Sequence, residues 1–188
     1  MTPQEYSLQT NLAAGAPTWR HYKQSLLNNP SVVNSINFGA FFDTTTQGSG
    51  GLTTANLVGI NSTDYANGIS VVNGSQITFS NAGNYYIDFQ GQFLFSGGTT
   101  NYDITNWYAV NGVNAPNSSY TFTIGSAQRS QTLTNVTDIN YFHAGDYIQF
   151  YWWSNISPSA IALTPTAAGT LPTRPFAPSV NVNIIQLA

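Results

Sequence analysis

The sequence contains no cysteine and very little charge. Of its 188 residues, 4 are Lys or Arg and 7 are Asp or Glu, so charged residues make up 6% of the chain, compared with about 25% in typical soluble domains. Four cations are too few to form the basic surface that neutralises nucleic-acid phosphates or binds anionic lipids. We therefore expect neither a nucleic-acid partner nor a membrane partner. The missing cysteine is compatible with any redox compartment.

Long apolar runs are missing as well. No segment approaches the ~18 consecutive apolar residues that predict a membrane-spanning helix. The opening residues also lack the basic and apolar regions of a secretory signal peptide. From the sequence we expect a chain without a membrane span or a cleaved leader.

Uncharged polar residues take the place of charge. The chain has 21 Asn, 22 Thr, 18 Ser and 11 Gln, while 41% of it is hydrophobic and 14% aromatic. This composition supplies a core and excludes intrinsic disorder. A surface of amides and hydroxyls gives little electrostatic repulsion between molecules, so we expect partners to cover much of it.

Residues 1–37 differ from the rest and are interpreted as an N-terminal arm. They contain three prolines and no sustained alternation, and spacings of three and four residues favour a short helix over 19–27. Large apolar side chains are costly to leave in water, so the arm is expected to dock on another molecule. The residues predicted to bind that partner are Trp19, Arg20, Tyr22, Lys23 and Leu26.

Residues 38–188 are predicted to form an all-β domain. Short β-branched and aromatic runs alternate with turn residues, as in sandwiches and barrels. Asn73-Gly74 and Asn111-Gly112 each separate two such runs, and both pairs fit type I′ hairpins. Five prolines between 158 and 178 predict a long irregular connection, followed by a last strand over 180–187 that is either central or well covered.

Two segments have a clear two-residue period. In Tyr85–Phe95 the odd positions are apolar, which predicts one core face. The segment 147–153 has a core face of Ile148, Phe150 and Trp152, but its opposite face is also mostly aromatic. We predict that this second face forms a trimer interface, the alternative being a long loop folded over it. The predicted interface residues are Tyr147, Gln149, Tyr151 and Trp153.

The order of these segments resembles a known family. Gly83, Tyr85 and Phe89 form a Gly-x-Tyr-x-x-x-Phe pattern, and Ala144-Gly145-Asp146 leads into an alternating strand. Over residues 38–188 the succession is similar to the C1q/TNF-like jelly roll. The resemblance implies a jelly-roll sandwich that assembles as a compact homotrimer. Modules of this kind occur on phage heads and tail fibres, and the low charge favours a phage structural protein.

Catalytic and metal sites are not predicted. His143 lies in a turn beside Asp146, and Asp88 with Asp103 is the only plausible carboxylate pair for glycoside hydrolysis. Turn and surface roles explain these residues better than catalysis does. The acidic residues do not cluster, although a calcium ion shared by Asp64 or Asp103 loops is an alternative. We predict no enzyme activity, no cofactor and no metal.

Carbohydrate binding is the main rival to a purely structural role. Aromatic residues beside Asn and Gln can stack on sugar faces, and the candidates are Trp107, Tyr120, Trp152 and Trp153. The sequence leads us to expect a homotrimeric decoration or cement protein on the capsid surface of a virion. Its arm would bind the major capsid protein. The alternative is a trimeric tail-fibre or spike tip that binds host surface glycans.

Overall fold

The described part of the chain is built from β-strands joined by turns. The computed structural model describes residues 36–96, 101–124 and 130–187, and in these ranges the only helical segment is a 3₁₀ turn at Pro158–Ala160. The strands are β1 (Phe38–Asp43), β2 (Gln47–Gly48), β3 (Asn56–Leu57), β4 (Ser62–Asn67), β5 (Ile69–Val72), β6 (Gln76–Phe79), β7 (Gly83–Phe95), β8 (Tyr102–Val110), β9 (Val113–Asn114), β10 (Tyr120–Ile124), β11 (Ser130–Phe142), β12 (Tyr147–Ser154), β13 (Ile161–Leu163), β14 (Gly169–Thr170), β15 (Thr173–Arg174) and β16 (Val180–Gln186).

Strand β7 organises the first sheet. Along its whole length it pairs with β11, and on its other side it pairs first with β16 and then with β13. The order continues from β16 to β1 and β4, and from β13 to β2, with every pair antiparallel. The last long strand, β16, is therefore central, which is one of the two alternatives that the sequence predicted.

Strand β12 organises the second sheet. It pairs with β8 on one side and with β6 and β3 on the other, and β10 and β5 complete the order β10-β8-β12-β6-β5. Strand β9 adds to β8. The short β14-β15 hairpin stands apart from both sheets. The proline-rich stretch after residue 158 thus contains β13 and this hairpin, so it is more regular than the sequence predicted.

The two sheets pack face to face through aromatic rings. Each contact pairs one ring from each sheet, and the centroid distances are 4.3–5.0 Å. The apolar odd positions of Tyr85–Phe95 that were predicted to be core are fully buried, and Gly91 between them is buried as well. Alternation along β7 and β12 therefore produces the expected inner faces, and the described residues form an all-β jelly-roll sandwich. The bridging pairs are Phe79 with Phe142, Phe89 with Phe150, and Phe93 with Trp152.

Both predicted hairpin turns are confirmed. Asn73 and Gly74 have φ of 52° and 68°, and Asn111 and Gly112 have φ of 50° and 79°. Consecutive positive φ values are what a type I′ turn requires, and Asn and Gly tolerate them best. The β8–β9 turn brings Asn114 back beside Ala109.

The predicted N-terminal arm lies outside the described residues, except for Ile36 and Asn37. The predicted helix over 19–27 lies outside them too. Asn37 contacts the sandwich: its carbonyl oxygen accepts from Gln186 N at 2.7 Å, and its Nδ2 donates to the Tyr85 hydroxyl at 3.2 Å. None of the described segments forms a helix long and apolar enough to cross a lipid bilayer.

Candidate binding surfaces

The outer face of β12 carries the four residues predicted to form a trimer interface. All four are half-buried in the single chain, because alternation along β12 points them away from the core. The Gln149 Nε2 donates to Ser75 Oγ at 3.1 Å, and the Trp153 Nε1 donates to the Leu52 carbonyl oxygen at 2.5 Å. The loop that contains Leu52 therefore reaches one end of this face. The interface assignment of Tyr147, Gln149, Tyr151 and Trp153 stays a prediction.

Beside this face lies an open cleft of about 350 Å³. We call it the Trp cleft, and its lining includes two indoles, hydroxyls and one amide. Its lining includes residues of β8, and also Asn114 of β9 with the segment that follows, which the Asn111-Gly112 turn folds back alongside β8. Trp107 also stacks on Tyr151, with ring centroids 5.8 Å apart and planes 15° apart. The lining residues are Thr105, Trp107, Asn114, Ala115, Ser118, Ser119 and Trp153.

Two of the four aromatic residues proposed for sugar stacking do not line this cleft. Trp152 is 0% exposed and packs on Phe93 in the core. Tyr120 is 41% exposed, but it lies on the inner face of the sheet opposite Asn106, and its hydroxyl donates to the Thr137 carbonyl oxygen at 3.4 Å. Trp107 and Trp153 do meet in the cleft. Asn114 and Ser119 could not be predicted from the sequence, because no periodicity marks a loop that a hairpin turn folds back.

The outer face of the first sheet has a second aromatic and aliphatic surface, which we call the apolar row. Ile139 on β11, Tyr86 on β7 and Ile185 on β16 lie in register on neighbouring strands. Their side chains are 61%, 37% and 41% exposed. Tyr141 and Leu187 flank them and are also exposed. The sequence did not predict this row, because it runs across strands that are far apart in the chain.

The two carboxylates considered for glycoside hydrolysis are on different sheets. Asp88 lies on the outer face of β7, where it accepts hydrogen bonds from Gln90 and Asn135. Asp103 lies on the outer face of β8 and accepts from Thr123 Oγ1 at 2.8 Å. These faces point away from each other, so the pair cannot flank one glycosidic bond.

His143 occupies an exposed turn. Its side chain is 77% exposed, and its Nδ1 is 3.4 Å from Asp146 Oδ2. The Asn111 side-chain amide, followed by the His143 backbone N–H, lowers the pKa of Asp146 by hydrogen bonding to its carboxylate. Asp146 thus closes the turn between β11 and β12. In the described ranges, no three His, Asp or Glu side chains gather around one point that could hold a metal ion.

The five arm residues predicted to bind the shell, from Trp19 to Leu26, lie outside the described residues. Comparison with known proteins gives no assignment: no protein-family model matches the chain, and no curated protein matches it significantly. The candidate surfaces are therefore the outer face of β12 with its Trp cleft, and the apolar row on the opposite sheet.

Proposed function

We propose that the chain is a virion structural protein, a homotrimer that decorates a phage capsid and stabilises the shell. The observation that carries the proposal is the apolar row. Ile139, Tyr86 and Ile185 present adjoining apolar surface that the described chain leaves uncovered. Contiguous exposed patches of this kind mark protein–protein contacts, and a patch with no charged member can pack against copies of itself.

The uncharged surface supports the same function. Only 6% of residues are charged, so contacts would come from apolar burial and from amide and hydroxyl hydrogen bonds. Such contacts persist at high ionic strength, because salt screens mainly exposed charges. Contacts that are insensitive to salt suit a protein that must stay bound to a virus particle when the ionic strength changes.

Threefold assembly and attachment are the finer parts of the proposal. The resemblance to the C1q/TNF-like jelly roll supplies the number of subunits. The N-terminal arm would bind the major capsid protein, with Trp19, Tyr22 and Leu26 as apolar anchors and Arg20 and Lys23 beside them. Three arms per trimer would turn weak single contacts into strong attachment, because each bound arm raises the effective concentration of the others.

The location of the protein on the particle tests this proposal. Gold-labelled antibody against residues 38–188 should decorate the heads of intact particles evenly. Label confined to the tail tip would favour the alternative of a fibre tip that binds host glycans. Particles without label at either place would contradict a virion role.

A further inference from the structure

We propose that the Trp cleft binds a neutral saccharide through the faces of Trp107 and Trp153. This inference goes beyond capsid decoration, and it rests on a trimer interface on the apolar row, because an interface on the outer face of β12 would cover the cleft. The cleft volume of about 350 Å³ falls in the range of small-molecule sites, ~300–1,000 Å³. The site is on the second sheet, so a trimer assembled through the apolar row of the first sheet leaves it open.

The two indoles are held in place before any ligand arrives. Trp107 Nε1 donates to Asn114 Oδ1 at 3.0 Å, and Trp153 Nε1 donates to the Leu52 carbonyl oxygen. Trp107 is further fixed by its stacking on Tyr151. Fixed rings bind at a smaller entropic cost than mobile ones. The aromatic faces are therefore presented as flat, preformed apolar surfaces.

The same hydrogen bonds favour a sugar over a proline-rich peptide. Aromatic grooves that bind such peptides must also satisfy the carbonyl groups of the extended backbone. Here both indole N–H groups are already bonded within the chain, so neither can donate to a peptide carbonyl. A pyranose ring places its C–H face on an indole and turns its hydroxyls to the rim, where Asn114 and Ser119 can bond them.

The charge around the cleft favours a neutral ligand. None of its lining residues is charged. Asp103 lies two residues before Thr105 on the outer face of β8. Among the described residues, Arg174 is the only Lys or Arg, and it belongs to the separate β14–β15 hairpin. An anionic sugar or a nucleotide would thus have no cation to bind in the described cleft and would meet a nearby carboxylate.

Calorimetric titration of the full chain with defined probes tests the proposal. The probes are a neutral β-linked gluco-oligosaccharide, a neutral galacto-oligosaccharide, an oligogalacturonate and a proline-rich peptide. At least one neutral sugar should bind with a dissociation constant on the order of 1 mM or lower. Oligogalacturonate should bind about tenfold more weakly or not at all. Failure of both neutral sugars, or tighter binding of the peptide, would overturn the proposal.

Three variants connect the binding to this cleft. Trp107→Ala removes one stacking surface and should weaken binding about tenfold or more. Ser119→Glu fills the cleft from an exposed position that the core does not use, so it should weaken binding without lowering the unfolding midpoint. Tyr141→Ala, on the opposite sheet, is the matched control and should bind like the wild type. The site would be refuted if Ser119→Glu bound the sugar with unchanged affinity, or if Ser119→Glu and Tyr141→Ala lost equal affinity.

Discussion

Asn106 on β8 donates a hydrogen bond to Thr134 Oγ1 on β11 at 2.6 Å and so connects the two sheets inside the core. Both side chains are completely buried. Thr134 Oγ1 also donates to the Gly91 carbonyl oxygen at 3.3 Å, whereas Asn106 Oδ1 has no partner among the described residues. A buried polar group without a partner costs ~1–3 kcal/mol, so this contact makes the core sensitive to single changes.

Replacing Thr134 with valine tests this connection. The change leaves the Asn106 amide without its acceptor, so we expect Thr134→Val to lower the free energy of unfolding by ~1–3 kcal/mol. The double variant Asn106→Leu, Thr134→Val should recover part of that loss, because it removes both polar groups. Urea unfolding measures both effects. Thr137→Val, on the exposed side of β11, is the control and should stay within ~0.5 kcal/mol of wild type; an equal loss in the control would contradict the account.

The raised pKa of Tyr108 predicts that the free energy of unfolding falls at alkaline pH. Burial, and then the hydrogen bond that its hydroxyl donates to Asp138, raise the pKa of Tyr108 to about 12 from 10.0. In the unfolded chain the phenol ionises near its ordinary pKa. The stabilising effect of the neutral phenol is thus complete below pH ~10 and is lost as pH rises towards about 12.

The corresponding measurement is the free energy of unfolding across that pH window. Wild type should lose stability more steeply than Tyr108→Phe, which cannot ionise at this position. Burial also raises the pKa of Tyr85, and this residue titrates in both proteins. The contribution of Tyr108 is therefore the difference between the two curves of unfolding free energy against pH. Parallel curves would show that Tyr108 titrates normally.

Single charges introduced on the two sheets identify the assembly interface. Ile139→Asp places a carboxylate in the apolar row, and around a threefold axis three of them would be brought together away from water. We expect this variant to sediment as a monomer of 20.3 kDa. Tyr151→Asp makes the same change on the β12 face that the sequence predicted as the interface, and it should leave the trimer intact if the apolar row is the interface. Leu133→Asp, at the far end of β11, is the control and should remain a trimer.

The outcome assigns the interface to one face. Dissociation by Ile139→Asp alone places it on the apolar row, whereas dissociation by Tyr151→Asp alone places it on β12 and covers the Trp cleft. A wild-type monomer at micromolar concentration would contradict the trimer on either face.

Removing the arm should separate folding from attachment. A chain that begins at residue 36 keeps Asn37, which forms hydrogen bonds with Gln186 and Tyr85. We expect its free energy of unfolding to remain within ~0.5 kcal/mol of the full chain, while its binding to capsids is lost. Circular dichroism during urea unfolding measures the first effect. Failure of the truncated chain to fold would mean that the arm belongs to the core.

Local patterns predicted the elements whose two faces differ in polarity. The alternation of Tyr85–Phe95 identified the core face of β7, and the Asn-Gly pairs located two hairpins. Strand β11 was harder to recognise, because several of its inward residues are polar. Thr134 is tolerated there because Asn106 on the opposite sheet donates a hydrogen bond to it. Asp138 likewise accepts a hydrogen bond from the hydroxyl of Tyr108. Such partners cannot be inferred from a short sequence window.

The binding surfaces were less predictable than the sandwich. The sequence suggested an aromatic outer face on β12, but not that Trp107 would stack on Tyr151 from the neighbouring strand. The apolar row depends on strand order, since Ile139 and Ile185 become neighbours of Tyr86 only after β16 and β11 pair with β7. Long-range pairing of this kind decides which exposed residues form one surface.

Uptake by undecorated capsids is the decisive test of the proposed decoration function. If the chain is a phage decoration protein as proposed, capsids of that phage that lack it are mixed with the purified protein, and the bound protein is quantified after sedimentation at low and high salt. We expect saturable, stoichiometric binding that changes little with salt, together with greater resistance of the capsids to heat. Absence of binding, or binding without any gain in heat resistance, would contradict the decoration function.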